Sequence, residues 1–337
     1  MAKGFHFFSV PVRPVLRNFF LASILLACLL GSIFKAEARE VTPFNNGWEF
    51  KKGPFPTDAM QTAARWNADW EQVNVPHTWN ADDMQKKTNS FYAGVAYYRK
   101  HYVFPESLEG KRLFLRFEGV GACAEVYVNG YLVGTHKGAY SAFVCEIGSQ
   151  VRLGEENEIV VKSDNVARPD VIPVNHALFG VYGGIYRPVW LIVTEPCNIV
   201  VNDCASPGVY ITQKNVSKQS ADVSVRVKLD NATLAPAALE LENAIYTREG
   251  KLVKVHRQFF ELTPQGVQNY VSDFKISHPH LWQGREDPYL YKVVSRLKQD
   301  GQVIDEVIQP LGLRKYEAVA GKGFFLNGKK YPMYGVT

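Results

Sequence analysis

The sequence has almost no stretch in which apolar residues recur every three or four positions, an absence that argues against helical layers and for β-sandwiches. Cysteine is scarce at 5 in 337 residues. Outside the amino-terminal apolar run, Cys123, Cys145, Cys197 and Cys204 form no CxxC pair and have no histidine at zinc-ligand spacing, so they read as small buried residues. If an oxidising compartment joins any two, Cys197 and Cys204 are the pair. A charge excess is also missing. The chain holds 38 basic and 33 acidic residues, and without the first 38 positions the balance is 34 against 32. Nothing in that balance points to nucleic acid or an anionic membrane surface as a partner, and none is expected. At 46% hydrophobic and 21% charged, the composition is that of a globular chain with a sizeable core.

The one long apolar run is at the start. Lys3, Arg13 and Arg17 precede the run Phe19 to Phe34, and Ala36-Glu37-Ala38 follows it in the small-x-small pattern of a cleavage site. Residues 1–38 are therefore expected to be a signal peptide and the mature chain to begin at Arg39, exported to a periplasm or the exterior. The mature chain is expected to have no membrane span. An uncleaved anchor, or lipidation at Cys28, is the minor alternative.

What fills the rest is strand pattern. Val223, Val225, Val227 and Leu229 alternate with polar residues, which puts the four on one face of a half-buried strand. "RLFLRFEGV", "NEIVVKSDN", "RPVWLIVTE" and "DPYLYKVVSRLKQDG" are similar runs. Asn129-Gly130 in "EVYVNGYLVG" and Asn327-Gly328 in "GFFLNGKKYPMYGVT" are tight-turn pairs that predict hairpins. Pro196 breaks the chain after "RPVWLIVTE", giving an expected division into a sandwich over 39–196 and a second over 197–310.

Chemical motifs are absent as well. There is no GxSxG elbow, no HExxH, no phosphate-cradling glycine loop and no Cys/His nucleophile pair. Asp82-Asp83 and Glu155-Glu156 are in turn-like polar stretches and read as solvated loop charges. Trp66, Trp70, Trp79, Phe91, Tyr92, Tyr97 and Tyr98 crowd a segment rich in Asn, Asp and His. Aromatic faces with adjacent polar groups suit stacking on sugar rings, and they equally suit a sandwich core. The triplets at Asn215 and Asn231 match glycosylation acceptors.

Seven blocks carry a family resemblance. In order, "WEQVNVPHTWN", "YAGVAYYRKHYVFP", "FEGVGACAEVYVNGYLVGTHKGAYSAFVCEI", "ENEIVVKSDN", "VYGGIYRPVWLIV", "HPHLWQGREDPYLYKV" and "LGLRKYEAVAGKGFFLNGKKYPMYGV" resemble the successive signatures of glycoside hydrolase family 2, most nearly its exported β-galactosidases. The resemblance implies an all-β chain: a sugar-binding jelly roll, then an immunoglobulin-like sandwich, then, from 311 to 337, the first strand of a (β/α)8 barrel. It further implies that both glutamates of the family's retaining mechanism lie beyond Thr337. This chain alone would then be inactive, with no catalytic residue to assign. A stand-alone carbohydrate-binding module and a β-glucuronidase- or β-mannosidase-like member are the alternatives.

The resemblance also implies which loops face the sugar. Asn175 and His176 are the first candidates for hydroxyl contacts, with Asp170 behind them and Asn89 on a neighbouring loop; each equally suits a loop group bonded to its own backbone. Gly183-Gly184 reads as a requirement of backbone geometry. Trp282, Tyr289 and Tyr291 read as packing, with Pro288 starting the next strand. No cofactor or metal is expected. The expected partner is an oligosaccharide or glycoside, with a homo-oligomer formed through regions outside this chain left open.

Overall fold

A computed structural model describes residues 38–53, 69–85, 91–172 and 180–335. The expected leader, up to residue 37, lies outside the described residues. In chain order the first strands are β1 (Glu40–Pro43), β2 (Trp48–Lys52), β3 (Glu71–Val73), β4 (Val95–Val103) and β5 (Arg112–Phe117). They are followed by β6 (Cys123–Val128), β7 (Tyr131–Lys137), β8 (Phe143–Glu146), β9 (Glu156–Asp164) and β10 (Val189–Thr194). These form two antiparallel sheets, one ordered β1-β10-β5-β8 and one ordered β3-β2-β4-β9-β6-β7. Their inner faces enclose Trp48, Tyr98, Leu115, Phe117, Val126 and Ile159, all fully buried. Among the described residues the only helical segments are single 3-10 turns, so the chain is all-β as its pattern predicts, and no helix is long and apolar enough to cross a membrane.

The second sandwich holds β11 (Cys197–Ile199), β12 (Val209–Lys214), β13 (Ser220–Asn231), β14 (Ala237–Tyr246), β15 (Leu252–Leu262), β16 (Gly266–Ser277), β17 (Tyr291–Gln299) and β18 (Gln302–Leu311). Strand β13 is bordered by β11 and β12 on one side and β16 on the other, and the facing sheet runs β15-β14-β17-β18. The alternation on β13 holds: Val223, Val225, Val227 and Leu229 are 0–2% exposed. The strand after Pro288 begins at Tyr291, because residues 285–290 form no ladder; Tyr289 and Tyr291 pack inward as expected.

Both Asn-Gly pairs make their turns. Asn129 and Gly130 have φ of 51° and 83° and join β6 to β7. Asn327 and Gly328, at 49° and 81°, join β20 (Gly323–Leu326) to β21 (Lys329–Lys330), beside β19 (Tyr316–Val319). The returning strand is the lysine pair and not the apolar run Tyr331–Tyr334, which takes no strand conformation. This ribbon is fastened to the second sandwich by Asn327, whose Nδ2 donates to the Trp282 carbonyl at 2.9 Å and whose Oδ1 accepts from Lys315 N at 2.9 Å.

Three arginine side chains tie the sandwiches together around an apolar contact of Phe114, Ile192 and Val201. Arg39 reaches Asp305, Arg112 bridges Glu146 and Asp230 at 2.8 and 2.7 Å, and Arg116 donates to the Ala205 carbonyl at 2.5 Å. All four described cysteines are free, including Cys197 and Cys204: Cys197 is buried with its thiol on Asn231 Oδ1, whereas Cys204 is exposed. Asn231 is also no glycosylation acceptor in this fold. It is fully buried, and its Nδ2 is held by the carbonyls of Ala235 and Leu262.

Candidate functional site

The long connections of the first sandwich gather at one end. The segment between β3 and β4, the segment between β9 and β10, and the β5–β6 turn meet there through backbone bonds, His77 N to Ile185 O at 2.7 Å and Gly121 N to Gly184 O at 3.0 Å. Beneath them are two asparagines with no exposure at all, Asn80 and Asn165. Asn80 Nδ2 donates to Asp83 Oδ2 at 2.7 Å and to the Tyr92 carbonyl at 3.0 Å. Its Oδ1 accepts from Gly183 N at 2.8 Å and from Asn165 Nδ2 at 3.2 Å. Asn165 Nδ2 also donates to the Val181 carbonyl, and its Oδ1 accepts from Gly94 N, both at 2.8 Å. A primary amide supplies two donors and two acceptor sites, which is what three converging loops with unpaired backbone groups require in a dry interior.

This network closes both ends of the loops that carry the sequence candidates. Asn89, Asn175 and His176 themselves lie outside the described residues, as does Trp66. Asp170 is described and exposed; its Oδ2 accepts from Lys137 Nζ at 2.6 Å, and the adjacent ammonium holds the carboxyl below its ordinary range. Lys137, the partner of Asp170, borders a cavity of about 250 Å³ also lined by Cys123, Glu125, Lys162 and Arg168. Its charges are matched: Lys162 pairs with Glu125 at 2.8 Å and Arg168 with Asp164 at 2.6 Å. Burial pushes the Cys123 thiol up, away from the reactive thiolate. Among the described residues no group of three His, Cys, Asp or Glu side chains could hold a metal ion.

The aromatic cluster divides. Trp79, Tyr97 and Tyr98 are 7%, 4% and 0% exposed, so they belong to the interior and offer no face to a sugar. Tyr98 OH packs on His77 Nδ1 at 2.7 Å, and burial pushes the tyrosine up and the histidine down, keeping both neutral. Tyr182 does reach solvent, 40% exposed, with its ring 6.3 Å from that of Phe91 and nearly perpendicular to it. Sequence reasoning missed Tyr182 because it belongs to no strand and follows no periodic pattern. The glycines have two reasons: Gly184 adopts φ +108°, while a Cβ on Gly183 would fall 1.9 Å from Trp79 Cζ2.

Residues 42–196 match the model described as the sugar-binding domain of glycosyl hydrolases family 2, so the sandwich bearing these loops is of the sugar-binding class. Residues 207–314 match a second model of the same family, and with two models covering most of its length the chain belongs to glycosyl hydrolases family 2. A β-glucuronidase of Bacteroides fragilis is 38% identical over 315 residues, which is 93% of this chain and 43% of that protein. A β-galactosidase of Thermoanaerobacter pseudethanolicus is 29% identical over 89% of this chain and 38% of its own. Among solved structures, one from Bacteroides fragilis provisionally named a β-galactosidase is 71% identical with a TM-score of 0.85, over 89% of this chain and 45% of that one. A Bacteroides uniformis β-glucuronidase bound covalently to a cyclophellitol-6-carboxylate aziridine is 30% identical with a TM-score of 0.83, over 88% of this chain and 35% of that one. The chain spans less than half the length of these relatives.

Proposed function

We propose that this chain is the amino-terminal, sugar-binding part of an exported retaining glycoside hydrolase of the β-galactosidase type, acting on terminal β-linked sugars. The observation that carries the reading is the Asn80–Asn165 network, which fixes the ends of the loops bearing Asn89, Asn175 and His176 while leaving Asp170, Phe91 and Tyr182 at their border. In this reading those loops supply hydroxyl contacts to the terminal sugar. The catalytic carboxylates come from outside the described residues. Retaining hydrolysis needs two carboxyl groups about 5 Å apart on a rigid frame. The described residues supply sandwiches without an α-helix, and the relatives are more than twice as long, which supports inactivity of this chain by itself.

A β-glucuronidase reading stands beside it, favoured by the name of the 38% identical relative. One assay addresses both. The purified chain is incubated with aryl β-galactoside and aryl β-glucuronide, and the two free sugars are titrated calorimetrically. Absence of turnover with measurable binding of one sugar, lost on replacing Asn175 and His176 by alanine, is the expected result. Turnover above background by the pure chain overturns the inactivity, and binding unaffected by the substitutions overturns the loop assignment.

A further inference from the structure

Strand β4 places Ala96, Tyr98, Lys100 and Tyr102 on its inner face, so a lysine occupies a core position between two sheets. Lys100 is 8% exposed. Its ammonium donates to the Asn46 carbonyl and lies 4.7, 5.9 and 5.8 Å from the ring centres of Phe44, Trp48 and Tyr102. Buried cations are ordinarily matched by a carboxylate. Here burial alone moves the ammonium, downward from its ordinary value, and no described acidic group forms an ion pair with it. Ring faces offset part of the lost hydration, and two N–H donors remain beyond the single carbonyl.

Lys100 lines a cavity of about 390 Å³ together with Thr42 on β1, Leu191 on β10, Phe44, Tyr102 and Ser107. Glu40 and Tyr102 are the other titratable side chains lining it. None of these residues belongs to the candidate loops. The volume is within the range that holds a small ring compound, and the lining pairs one fixed cation with apolar and aromatic walls.

From this geometry we infer that the cleft binds a small organic monocarboxylate, its carboxylate on Lys100 Nζ and its apolar body against Phe44 and Tyr102. The anion supplies the missing counter-charge in a water-poor setting, where a charge-assisted bond is strongest. A neutral molecule of the same shape gains only the wall contacts.

The test uses the whole chain and two probes of one shape, sodium benzoate and benzamide, titrated calorimetrically at matched ionic strength in chloride. Saturable binding of benzoate at least tenfold tighter than benzamide is expected, with the preference lost in Lys100→Met and kept in Glu40→Gln. Equal binding of the two probes, no saturable benzoate binding, or an unchanged preference in Lys100→Met overturns the site. Should Lys100→Met not fold, acetylation of Lys100 in the unaltered chain is followed by peptide mass spectrometry. Slowing by benzoate and not by benzamide supports the site, and equal rates overturn it.

Discussion

Arg39 and Asp305, 266 positions apart in sequence, meet in a two-point ion pair with Nε to Oδ1 at 3.1 Å and Nη2 to Oδ2 at 2.8 Å. The Asp305 side chain has no exposure and that of Arg39 only 10%, and Asp305 Oδ2 also accepts from Ile199 N at 2.7 Å. The pair ties the start of the first sandwich to the last strand of the second. Asp305→Ala leaves a guanidinium and a backbone donor unpaired in the interior, a loss of about 3–5 kcal/mol. The melting temperature of the chain should fall by roughly 10 °C. The double variant Arg39→Met/Asp305→Leu, which removes both charges, should fall by clearly less. A single variant that melts with the unaltered chain would show that the pair holds nothing.

Asn165→Ala removes the donors to Val181 O and Asn80 Oδ1 and the acceptor for Gly94 N. Several buried polar groups are then unpaired, which costs about 2–4 kcal/mol. Because the losses fall at the loop roots, hydrogen exchange should rise in 80–94 and 180–185 while the β13–β16 ladder keeps its protection. Uniform loss of protection across both sandwiches would refute a local role.

The strands were legible and the loop framework was not, for a physical reason. Val223 to Leu229 announce their face because a two-residue period is forced by the pleat. Asn80 and Asn165 carry no such period, since their burial follows from loops meeting in space. The same limit left Trp79, Tyr97 and Tyr98 open between a sugar-stacking face and a sandwich core, although one-face alternation of Tyr98 with Ala96 and Lys100 pointed to the core. Cys197 and Cys204, the pair named only in case a disulfide forms, are both free, and nothing in their spacing signals that one is buried and the other exposed.

Gly183→Ala tests the packing beneath the site. The added Cβ would meet the Trp79 ring at 1.9–2.5 Å, and that indole is itself held by Nε1 to the Tyr92 carbonyl at 3.2 Å. Overpacking of this kind costs about 1–3 kcal/mol. Trp79 fluorescence should shift to the red as the ring is pushed toward water, relative to Trp79→Phe as the spectral baseline. An unshifted spectrum with an unchanged melting temperature contradicts the close approach.

Asp170→Asn separates contact from stability. The Asp170 and Lys137 side chains are 51% and 63% exposed, so the pair is screened and contributes little to the fold. The variant should melt with the unaltered chain. Any change in sugar affinity then reports a direct contact by this carboxylate, and a lowered melting temperature would assign Asp170 to the fold instead.

Glu242 gives a pH dependence with a defined sign. Burial acts to raise its carboxyl, and bonds from Lys298 Nζ at 2.9 Å, Arg257 Nε at 2.7 Å and Arg296 Nη1 at 3.2 Å outweigh it, holding it at about 2 against an ordinary 4.5. A depressed carboxylate contributes stability that is complete above its unfolded value and is lost as pH falls through its folded one. The window is therefore from about 4.5 down to about 2, and the contribution is on the order of 2–3 kcal/mol. Urea denaturation of the chain and of Glu242→Gln should show a gap of about 3 kcal/mol at neutral pH, since the variant also leaves three cations facing one another. As pH is lowered through that window the gap should close, because protonation makes the native carboxyl resemble the amide. A gap that stays constant down to the lower limit would mean that the three cations do not depress Glu242.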